Sequence, residues 1–410
     1  QDFSRYKKFS LNTYRQCRSM AGRMRGTKII HINSTAEGGG VAELLKSQIP
    51  LERGLGFDSK WFVIQEPKRF FVITKKIHNL LQGGKGQLPS YEKKYYVRQL
   101  RSAGDELKKI LANSGKHVIV VLHDPQTLPL SSYVQADIPV IARLHIDLTS
   151  PNKSTLKFLK PFLQRAQKVI VSHKDFLPEW ISKNKIAVSC PAIDPFSAKN
   201  RGIKIATASS IFKKFKISVN RPIVAQISRF DKWKDPEGVI KAYYLAKQRV
   251  PSLQLVLEGA EGAADDPEAE SVFKYLSKKY KGDSDLFLLG KNVLSRSRYE
   301  LWVNALQRRA NVIVQKSYRE GFGLTVTEAL WKNKAVVGGN AAGIRQQIQN
   351  GKNGFIVKTA EQCSRKIVRI IENPPLAAAL GRMGHDEVRR KYLFNRLILD
   401  FLKIYTVTRK

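Results

Sequence analysis

The chain has 410 residues, of which 42% are hydrophobic, and this length predicts two domains that each bury a core. No run of about 18 apolar residues is present, which argues against a membrane-spanning segment. The net charge of +38 predicts anionic partners such as phosphate, nucleotides, nucleic acid or an anionic lipid surface. No basic motif with interleaved aromatic residues supports binding to nucleic acid or a membrane surface, so that prediction rests on charge alone.

The N-terminal segment and the cysteines bear on the cellular compartment. Residues 1–26 are basic, nearly free of acid and lack the apolar region of a signal peptide, so we expect a solvated extension. Cys17, Cys190 and Cys363 are far apart and odd in number, which is typical of a reducing compartment, and we expect a cytoplasmic protein. The seven histidines show no metal-type spacing, so no structural metal is expected.

Short apolar, β-branched segments alternate with helical patterns along the whole chain. Five segments of the first half have this strand pattern: 28–33, 59–65, 117–124, 138–147 and 168–173. Six more follow in the second half: 222–230, 253–260, 285–290, 311–317, 335–340 and 354–357. Near-continuous apolar strands separated by helices, such as the helix predicted over 235–250, indicate parallel sheets covered on both faces.

The strand–helix series restarts after residues 190–200, a proline-containing stretch that we interpret as the interdomain crossover. The predicted fold class is therefore α/β, with two doubly wound Rossmann-like domains at residues 1–192 and 193–387 that face each other across a cleft. A C-terminal helix at about residues 388–410 is predicted to pack back on the first domain. Ligands of such domains bind outside the carboxyl ends of the strands.

A glycine-rich loop follows the first strand of the first predicted domain, and two cations follow the first strand of the second. Gly38, Gly39 and Gly40 separate strand 28–33 from a helix, where backbone N–H groups and the helix N-terminus favour an anion. The loop is neither a GxGxxG nor a P-loop motif, and a tight turn is the alternative interpretation. In the second half, Arg229 lies at a strand end and Lys234 just before a helix, where the two cations could clamp a diphosphate.

Two glutamates flank a Gly-Phe-Gly turn in the segment REGFGLTVTEALW. Glu320 follows strand 311–317 and Glu328 lies about one turn inside the next helix. Their spacing is ordinary, because about three such acid pairs are expected by chance in a chain of this composition. Their placement is the informative feature, since the glycines let a ligand approach the backbone at a helix start.

Two His-Asp features end neighbouring strands of the first half. His123 and Asp124 stand in LHDPQ, and His145 and Asp147 in RLHID. A single Asp after a strand is often a helix cap, and a single strand-end His is often structural. Two such features on neighbouring strand ends indicate a polar substrate pocket. No GxSxG elbow or evident Cys–His pair is present, and no DxD pattern suggests a metal–nucleotide site, which disfavours a Ser/Cys hydrolase and a magnesium-dependent transferase.

These segments together resemble a known family. The pattern E-G-F-G-L-x-x-x-E is similar to the E-x7-E signature of retaining GT-B glycosyltransferases of family GT4, and SRFDKWKD resembles that family's Arg/Lys diphosphate clamp. HINSTAEGGGVAELL, HDPQ and HIDLTSPN are similar to the trehalose synthase branch of that family. The resemblance extends from about residue 27 to residue 405.

The resemblance implies a role for each matching residue of the donor half of the site. Arg229 and Lys234 would hold the diphosphate of a nucleotide sugar and stabilise the leaving group. Glu320 would bind hydroxyls of the donor sugar, and Glu328 would bind the ribose hydroxyls. The donor would also contact the loop backbones at Gly39, Gly40, Phe322, Gly323 and Leu324.

The resemblance also implies an acceptor half in the first domain. His145 would lie beside the reacting face of the donor sugar. The acceptor sugar would be bound by residues at two strand ends, namely Asn33, His123, Asp124 and Gln126. No metal is expected, because Arg and Lys would replace it at the diphosphate. A homodimer is what the family suggests.

The implied activity is that of a retaining hexosyltransferase, which transfers glucose from a nucleoside diphosphate glucose, such as UDP-glucose or ADP-glucose, to free glucose and so makes trehalose. Trehalose phosphorylase, which uses glucose 1-phosphate, is the nearest alternative. A GT4 transferase acting on another sugar or on a lipid is a second, and a polyanion-binding protein on an inactive scaffold is a third. The residues shared by synthases and phosphorylases do not separate the first two.

Overall fold

The computed structural model describes residues 2–37, 39–115, 117–176, 178, 180–259, 268–290 and 294–408. The chain divides after Ala192 into two compact units. The first unit comprises the residues up to Ala192 together with the last helix, from Phe394 onward, and the second begins at Ile193 and ends at Leu393. Among the described residues, no helix is both long and apolar enough to cross a bilayer.

The first unit is built on a parallel sheet in the order β2-β1-β3-β4-β5-β6. Its strands are β1 (Lys28–Asn33), β2 (Asp58–Val63), β3 (Val118–His123), β4 (Val140–Leu144), β5 (Lys168–Val171) and β6 (Ile186–Val188). Its helices are α1 (Leu11–Gly22), α2 (Gly40–Gly54), α3 (Lys68–Leu81), α4 (Ser90–Gln99), α5 (Arg101–Ala112) and α6 (Lys153–Arg165).

The second unit is built on a parallel sheet in the order β12-β11-β10-β7-β8-β9. Its strands are β7 (Ile223–Ile227), β8 (Gln254–Glu258), β9 (Leu286–Leu289), β10 (Val312–Gln315), β11 (Ala335–Gly339) and β12 (Phe355–Val357). Its helices are α7 (Ser209–Lys214), α8 (Pro236–Lys247), α9 (Ala269–Lys279), α10 (Arg296–Arg309), α11 (Leu324–Trp331), α12 (Ala342–Arg345), α13 (Ala360–Ile371) and α14 (Pro374–Lys391).

The central strands are buried along their whole length, which is why they appear in the sequence as continuous apolar runs. The two sheets with their helices form two Rossmann-like domains, as the sequence predicted. One strand, β6, was not predicted, because three residues at a sheet edge are too short to show a period. Residue 260, the end of the predicted strand 253–260, lies outside the described residues.

The N-terminal segment differs from the solvated extension that its charge predicted. Residues 3–8 form a 3₁₀ turn, and Phe3 and Tyr6 are almost fully buried. Helix α1 packs against the last helix, α15 (Phe394–Thr408), within the first unit, and the Cys17 thiol lies against the Asn395 carbonyl. Apolar side chains at helical spacing outweigh the basic composition here, because a helix needs only one apolar face to pack.

Each sheet has one place where the strand order reverses. In the first unit β1 lies between β2 and β3, and in the second β7 lies between β8 and β10. Loops at such a switch point diverge to opposite faces of the sheet and leave a crevice outside the carboxyl ends of the strands. Of the predicted site residues, Asn33 ends β1 and Gly39 and Gly40 follow it, while Arg229 and Lys234 follow β7.

Candidate active site

An ion pair joins two of the predicted catalytic residues at the switch point of the second unit. Lys234 Nζ lies 2.7 Å from Glu320 Oε2, and both side chains are largely buried. Glu320 also accepts hydrogen bonds from Ser317 Oγ at 3.2 Å and Gln315 Nε2 at 3.4 Å. Lys234 belongs to the loop after β7 and Glu320 to the loop after β10. The structure therefore brings together a cation and an acid that lie 86 residues apart in sequence.

Hydrogen bonds to backbone carbonyls fix the loop after β7 and hold it against the segment after β10. The Lys234 carbonyl accepts a hydrogen bond from Gln226 Nε2 at 2.8 Å, and the Trp233 carbonyl accepts one from the Tyr318 N–H at 2.9 Å. Thr325 Oγ1, in the first turn of α11, donates to the Ile227 carbonyl at the end of β7 at 2.9 Å. These contacts hold the carboxyl ends of β7 and β10 in one arrangement.

The Gly-Phe-Gly turn has a conformation that its glycines permit. Gly323 has a φ of 87° and precedes α11, which no side chain caps. Gly343 packs against the turn so closely that a Cβ there would lie 2.6 Å from the Phe322 backbone N, and its N–H donates to the Glu320 carbonyl at 3.2 Å. The sequence did not single out Gly343, although a glycine after two alanines at the start of a short helix is a signal for close backbone packing.

Glu328 lies in a second buried network. Its carboxylate accepts a hydrogen bond from Gln307 Nε2 at 3.1 Å, and Lys199 Nζ lies 3.8 Å away. Lys332 donates to Gln307 Oε1 at 2.6 Å, and burial lowers the pKa of Lys332 to about 7. Glu320 contacts Lys234, Ser317 and Gln315, whereas Glu328 contacts Gln307 and Lys199, so the two carboxylates lie in different surroundings, which suits two different ligand groups. Arg229 lies two residues beyond β7 and is half-buried.

The glycine loop of the first unit leads directly into α2. Gly39 has a φ of 83° and is the N-cap of this helix, which begins at Gly40. This backbone conformation is strained for other residues, so a glycine is required at that position. Gly38 lies outside the described residues. The Asn33 side chain donates to the Thr35 carbonyl at 2.7 Å and accepts from Trp61 Nε1 at 2.6 Å, so both ends of its amide have partners within the protein.

The two His-Asp features meet at the ends of β3 and β4. His123 Nδ1 and His145 Nε2 are 3.0 Å apart, and Asp124 Oδ1 accepts a hydrogen bond from the His145 backbone N–H at 2.6 Å. Burial, with the nearby histidines and Arg143 adding to it, lowers the pKa of His123 well below its usual value. Burial and then Arg143 do the same for His145. Both rings are therefore neutral at pH 7.

Gln126, three residues after His123 in sequence, has a side-chain hydrogen-bond acceptor that lacks a donor in the described part of the protein. Its Oε1 atom is buried and has no hydrogen-bond partner within the described part of the chain. A buried acceptor without a donor is costly, and a hydroxyl group of a ligand would satisfy it.

Two residues that sequence reasoning missed extend the histidine contact into the protein. His31 Nδ1 lies 3.1 Å from His123 Nε2, and His31 Nε2 lies 3.0 Å from Glu52 Oε2. His31 is a polar residue in the apolar strand KIIHIN, which was the available signal. Glu52 lies in α2 and had no such signal, since an acid in a helix is usually solvated.

No group of three or more His, Cys, Asp or Glu side chains in the described ranges is arranged to hold a metal ion. His31, His123 and His145 are instead hydrogen-bonded to one another in series. The expectation that the reaction needs no metal stays a prediction.

Comparison with known families divides the chain in the same place as the fold. The family described as "Trehalose synthase, N-terminal domain" matches residues 31–178, and "Glycosyl transferases group 1" matches residues 208–386. A "Trehalose synthase" of Pyrococcus horikoshii is 37% identical over 385 residues, which are 94% of this chain and 91% of that protein. A "Trehalose phosphorylase" of Pleurotus pulmonarius is 27% identical over 82% of this chain but only 50% of its own length.

Solved structures with a similar fold match this chain over nearly its whole length. A sucrose-phosphate synthase from Thermosynechococcus elongatus has a TM-score of 0.72 at 17% identity, with 93% of this chain and 98% of that one covered. At this identity the likeness shows the GT-B fold alone. The sequence similarity goes further, because it extends over nearly the whole length of both proteins. The chain belongs to the trehalose synthase family, a GT4-type branch of the GT-B glycosyltransferases.

Proposed function

We propose that the protein is a retaining glucosyltransferase that makes trehalose from a nucleoside diphosphate glucose and free glucose. Membership of the trehalose synthase family supports the product. The Lys234–Glu320 ion pair is the observation that carries the donor class, because it places a cation for phosphate beside an acid for sugar hydroxyls at the switch point of the second sheet. A free sugar as donor would need no such cation.

The cations act on the leaving group. Arg229 and Lys234 bind the diphosphate and stabilise the negative charge that develops on it as the glycosidic bond breaks. Lys234 approaches the phosphate from its contact with Glu320, whose carboxylate keeps hydrogen bonds from Ser317 and Gln315. Neutralisation of the leaving group by side chains fulfils the task that a divalent cation has in other transferases.

The acids and loop backbones orient the donor. Glu320 accepts hydrogen bonds from hydroxyls of the glucose, and Glu328, held by Gln307, accepts them from the ribose. Two glycine loops come close to the substrate through their backbones: Gly39–Gly40 at the diphosphate and Phe322–Leu324 at the sugar and phosphate.

The acceptor glucose is bound by the first unit. Asp124 and the open Oε1 of Gln126 supply hydrogen-bond acceptors, and His145 lies beside the reacting face of the donor sugar. Asn33 completes this group with the hydrogen-bonding capacity that Thr35 and Trp61 leave. His123, which the resemblance placed at the acceptor sugar, is fully buried and has both ring nitrogens hydrogen-bonded to other histidines, so it acts through His145 instead.

In the reaction step, the bond between the anomeric carbon and the diphosphate oxygen breaks, and its electron pair leaves with the diphosphate. The acceptor hydroxyl oxygen forms the new bond on the same face of the sugar. The acceptor's proton goes to the departing phosphate oxygen, so charge and atoms balance with trehalose and the nucleoside diphosphate as products. No carboxylate nucleophile of the glycosidase type is required.

The test is an end-point assay of the purified protein with UDP-glucose or ADP-glucose and free glucose. The expected products are trehalose, retained in configuration by proton NMR, and a stoichiometric nucleoside diphosphate, with turnover unchanged by EDTA. Arg229→Ala, Lys234→Ala and Glu320→Ala should each lower turnover by at least ~10²-fold, the effect of losing one preorganised electrostatic group. Lys232→Ala is the matched control, because Lys232 is an exposed lysine of the same turn.

Phosphorolysis is the second candidate, favoured by the similarity to trehalose phosphorylases. That similarity covers half of the phosphorylase length, whereas the synthases match over nearly all of theirs. Glucose 1-phosphate formed from trehalose and phosphate, with no product from any nucleotide sugar, would replace the proposal by this activity.

A further inference from the structure

A buried chain of hydrogen bonds runs from α2 across the ends of β1, β3 and β4. It begins at Glu52, passes through His31 and His123 and ends at His145, with the three contacts at 3.0, 3.1 and 3.0 Å. Each distance is that of a hydrogen bond between ring nitrogens or between nitrogen and oxygen. His31 and His123 are fully buried and His145 is half-buried, so only the last ring reaches the surface of the unit.

The Glu52 end of the chain is fixed by several donors. Gln48 Nε2 and the Tyr405 hydroxyl donate to Oε1 at 2.9 Å, and the Ser59 hydroxyl donates to Oε2 at 2.8 Å. Burial raises the pKa of Glu52, but the interaction with His31 and the hydrogen bonds from Gln48 and Ser59 outweigh it. The carboxyl is therefore ionised at neutral pH and acts only as an acceptor.

This fixed acceptor sets the direction of each hydrogen bond. His31 Nε2 must donate to Glu52. When His31 is neutral, its Nδ1 accepts from His123 Nε2, and His123 Nδ1 accepts from His145 Nε2. The ring nitrogen left on His145 is then Nδ1, with a free lone pair. A single added proton on His31 reverses both histidine–histidine bonds and converts Nδ1 of His145 into a donor.

Charged groups surround this series of hydrogen bonds, and the cation of Arg143 favours neutral rings at its outer end, at His123 and His145. Arg143 is fully buried in β4, and its two terminal nitrogens have no hydrogen-bond partner in the described residues. It stacks on Phe401, with its guanidinium carbon 4.7 Å from the ring centroid. The other charged or titratable groups near this cluster are Asp124, after β3, and three residues of α15, namely Arg396, Asp400 and Tyr405.

We propose that Glu52, His31 and His123 are positioning residues, which hold His145 in one ring orientation and one tautomer with Nδ1 as the acceptor of a hydrogen bond from a sugar hydroxyl. The inference rests on the proposed function, because it needs a sugar beside His145. It goes beyond it, because Glu52 and His31 are too deeply buried to touch any substrate. Their influence on the reaction passes through the hydrogen-bonded rings alone.

The kinetic test uses Glu52→Gln, which keeps the size of the side chain and an acceptor oxygen. The amide that replaces the carboxylate can donate to His31 Nε2 as well as accept from it, so His31 is no longer held in one tautomer. We expect kcat to fall by about tenfold with little change in KM for the donor. Tyr405→Phe is the matched control, since it removes one hydrogen bond from the same carboxylate and leaves the rings untouched. Its kcat should stay near that of the wild type.

His31→Gln tests the middle of the chain. It should lower kcat by about tenfold or more with little change in KM for the donor, because the donor's contacts in the second unit are untouched. Equal losses of kcat in Glu52→Gln and Tyr405→Phe, or normal kcat in His31→Gln, would overturn the inference.

A readout without variants covers the case in which a substitution prevents folding. Long-range proton–nitrogen correlation NMR of wild-type protein labelled with ¹⁵N-histidine reports which ring nitrogen carries the proton. The expected spectrum at pH 7.5 assigns the proton of His145 and of His123 to Nε2. A proton on Nδ1 of His145, or averaging of its two tautomers, would refute the positioning role. Because this measurement needs no turnover, an inactive protein would contradict the proposed function without deciding the tautomer.

Discussion

The Lys234–Glu320 ion pair leads to a prediction that separates its structural role from its catalytic one. The perturbation is a double-mutant cycle with Lys234→Met, Glu320→Gln and the two combined. At 2.7 Å and an effective dielectric constant of about 20, the attraction between the two charges is about 6 kcal/mol before the cost of desolvation. Removing one partner of a buried pair costs about 3–5 kcal/mol, because the other charge stays buried.

The two single variants should differ in how much stability they lose. The side chain of Glu320 is 10% exposed and that of Lys234 is 17% exposed, so a lone ammonium reaches water more easily than a lone carboxylate. We expect losses of about 3 kcal/mol for Lys234→Met and about 2 kcal/mol for Glu320→Gln in the free energy of unfolding. The double variant should lose about 3 kcal/mol rather than 5, which gives a coupling energy of about 2 kcal/mol.

Denaturant unfolding monitored by fluorescence measures these free energies, and the trehalose assay measures turnover on the same samples. The double variant should be no less stable than Lys234→Met alone, whereas turnover should stay at least ~10²-fold below wild type, since both groups contact substrate in the proposed function. Losses that add within about 0.5 kcal/mol would show that the pair is not formed in solution. Recovered turnover would show that the two residues serve only to neutralise each other.

Further substitutions test other parts of the structure. Gly343→Ala should lower turnover by at least ~10-fold, because its Cβ would displace the Phe322 backbone, whereas Gly202→Ala, with no atom within 4 Å of its Cβ, should not. Burial raises the pKa of Glu258 to about 8, so between pH 4.5 and 8 this carboxyl is ionised only in the unfolded state. Ionisation of the unfolded state lowers the stability of the wild type over that range. The free energy of unfolding of Glu258→Gln should therefore rise by roughly 2–4 kcal/mol relative to wild type. Lys332 has a pKa of about 7 when folded, so wild type should gain stability relative to Lys332→Met from pH 7 to 10. The charge of +38 predicts binding to a single-stranded oligonucleotide that weakens steeply with salt in fluorescence anisotropy, and no binding at low salt would contradict it.

The sequence predicted the elements of the fold because parallel strands that are buried on both faces leave a continuous apolar signal. Segments 28–33 and 168–173 gave β1 and β5 with the right start, and the larger helices filled the gaps. The N-terminal segment was interpreted wrongly because charge dominates its composition, while its contact with α15 depends on residues almost 400 positions away. Single-sequence patterns report on local periodicity and not on such partners.

Within the candidate site, the sequence predicted which residues lie at strand ends, but it did not predict which of them contact each other. The alternation of strands and loops placed Glu320 and Lys234 at strand ends, but only the strand order sets β7 beside β10 and so the two side chains within 2.7 Å. Glu52 shows the limit more sharply. Its sequence context is that of a surface acid in a helix, and only the packing of α2 on the sheet places it against His31.

Burial, rather than number, distinguishes the acids that have a role in this strongly basic chain. With 72 basic and 34 acidic residues, a cation is available for any carboxylate, and most of the ion pairs formed by exposed acids carry little energy. Nine acids in the described ranges are buried, and seven of them follow or end a strand or lie in the helix after it: Glu52, Asp147, Asp231, Asp235, Glu258, Glu320 and Glu328. A buried acid is costly unless each oxygen has a donor, so its retention indicates a specific task. At the carboxyl ends of β7 and β10 the task that we propose is to bind sugar hydroxyls and to hold Lys234 until a diphosphate binds, which gives a reason for a buried acid beside a lysine in so basic a chain.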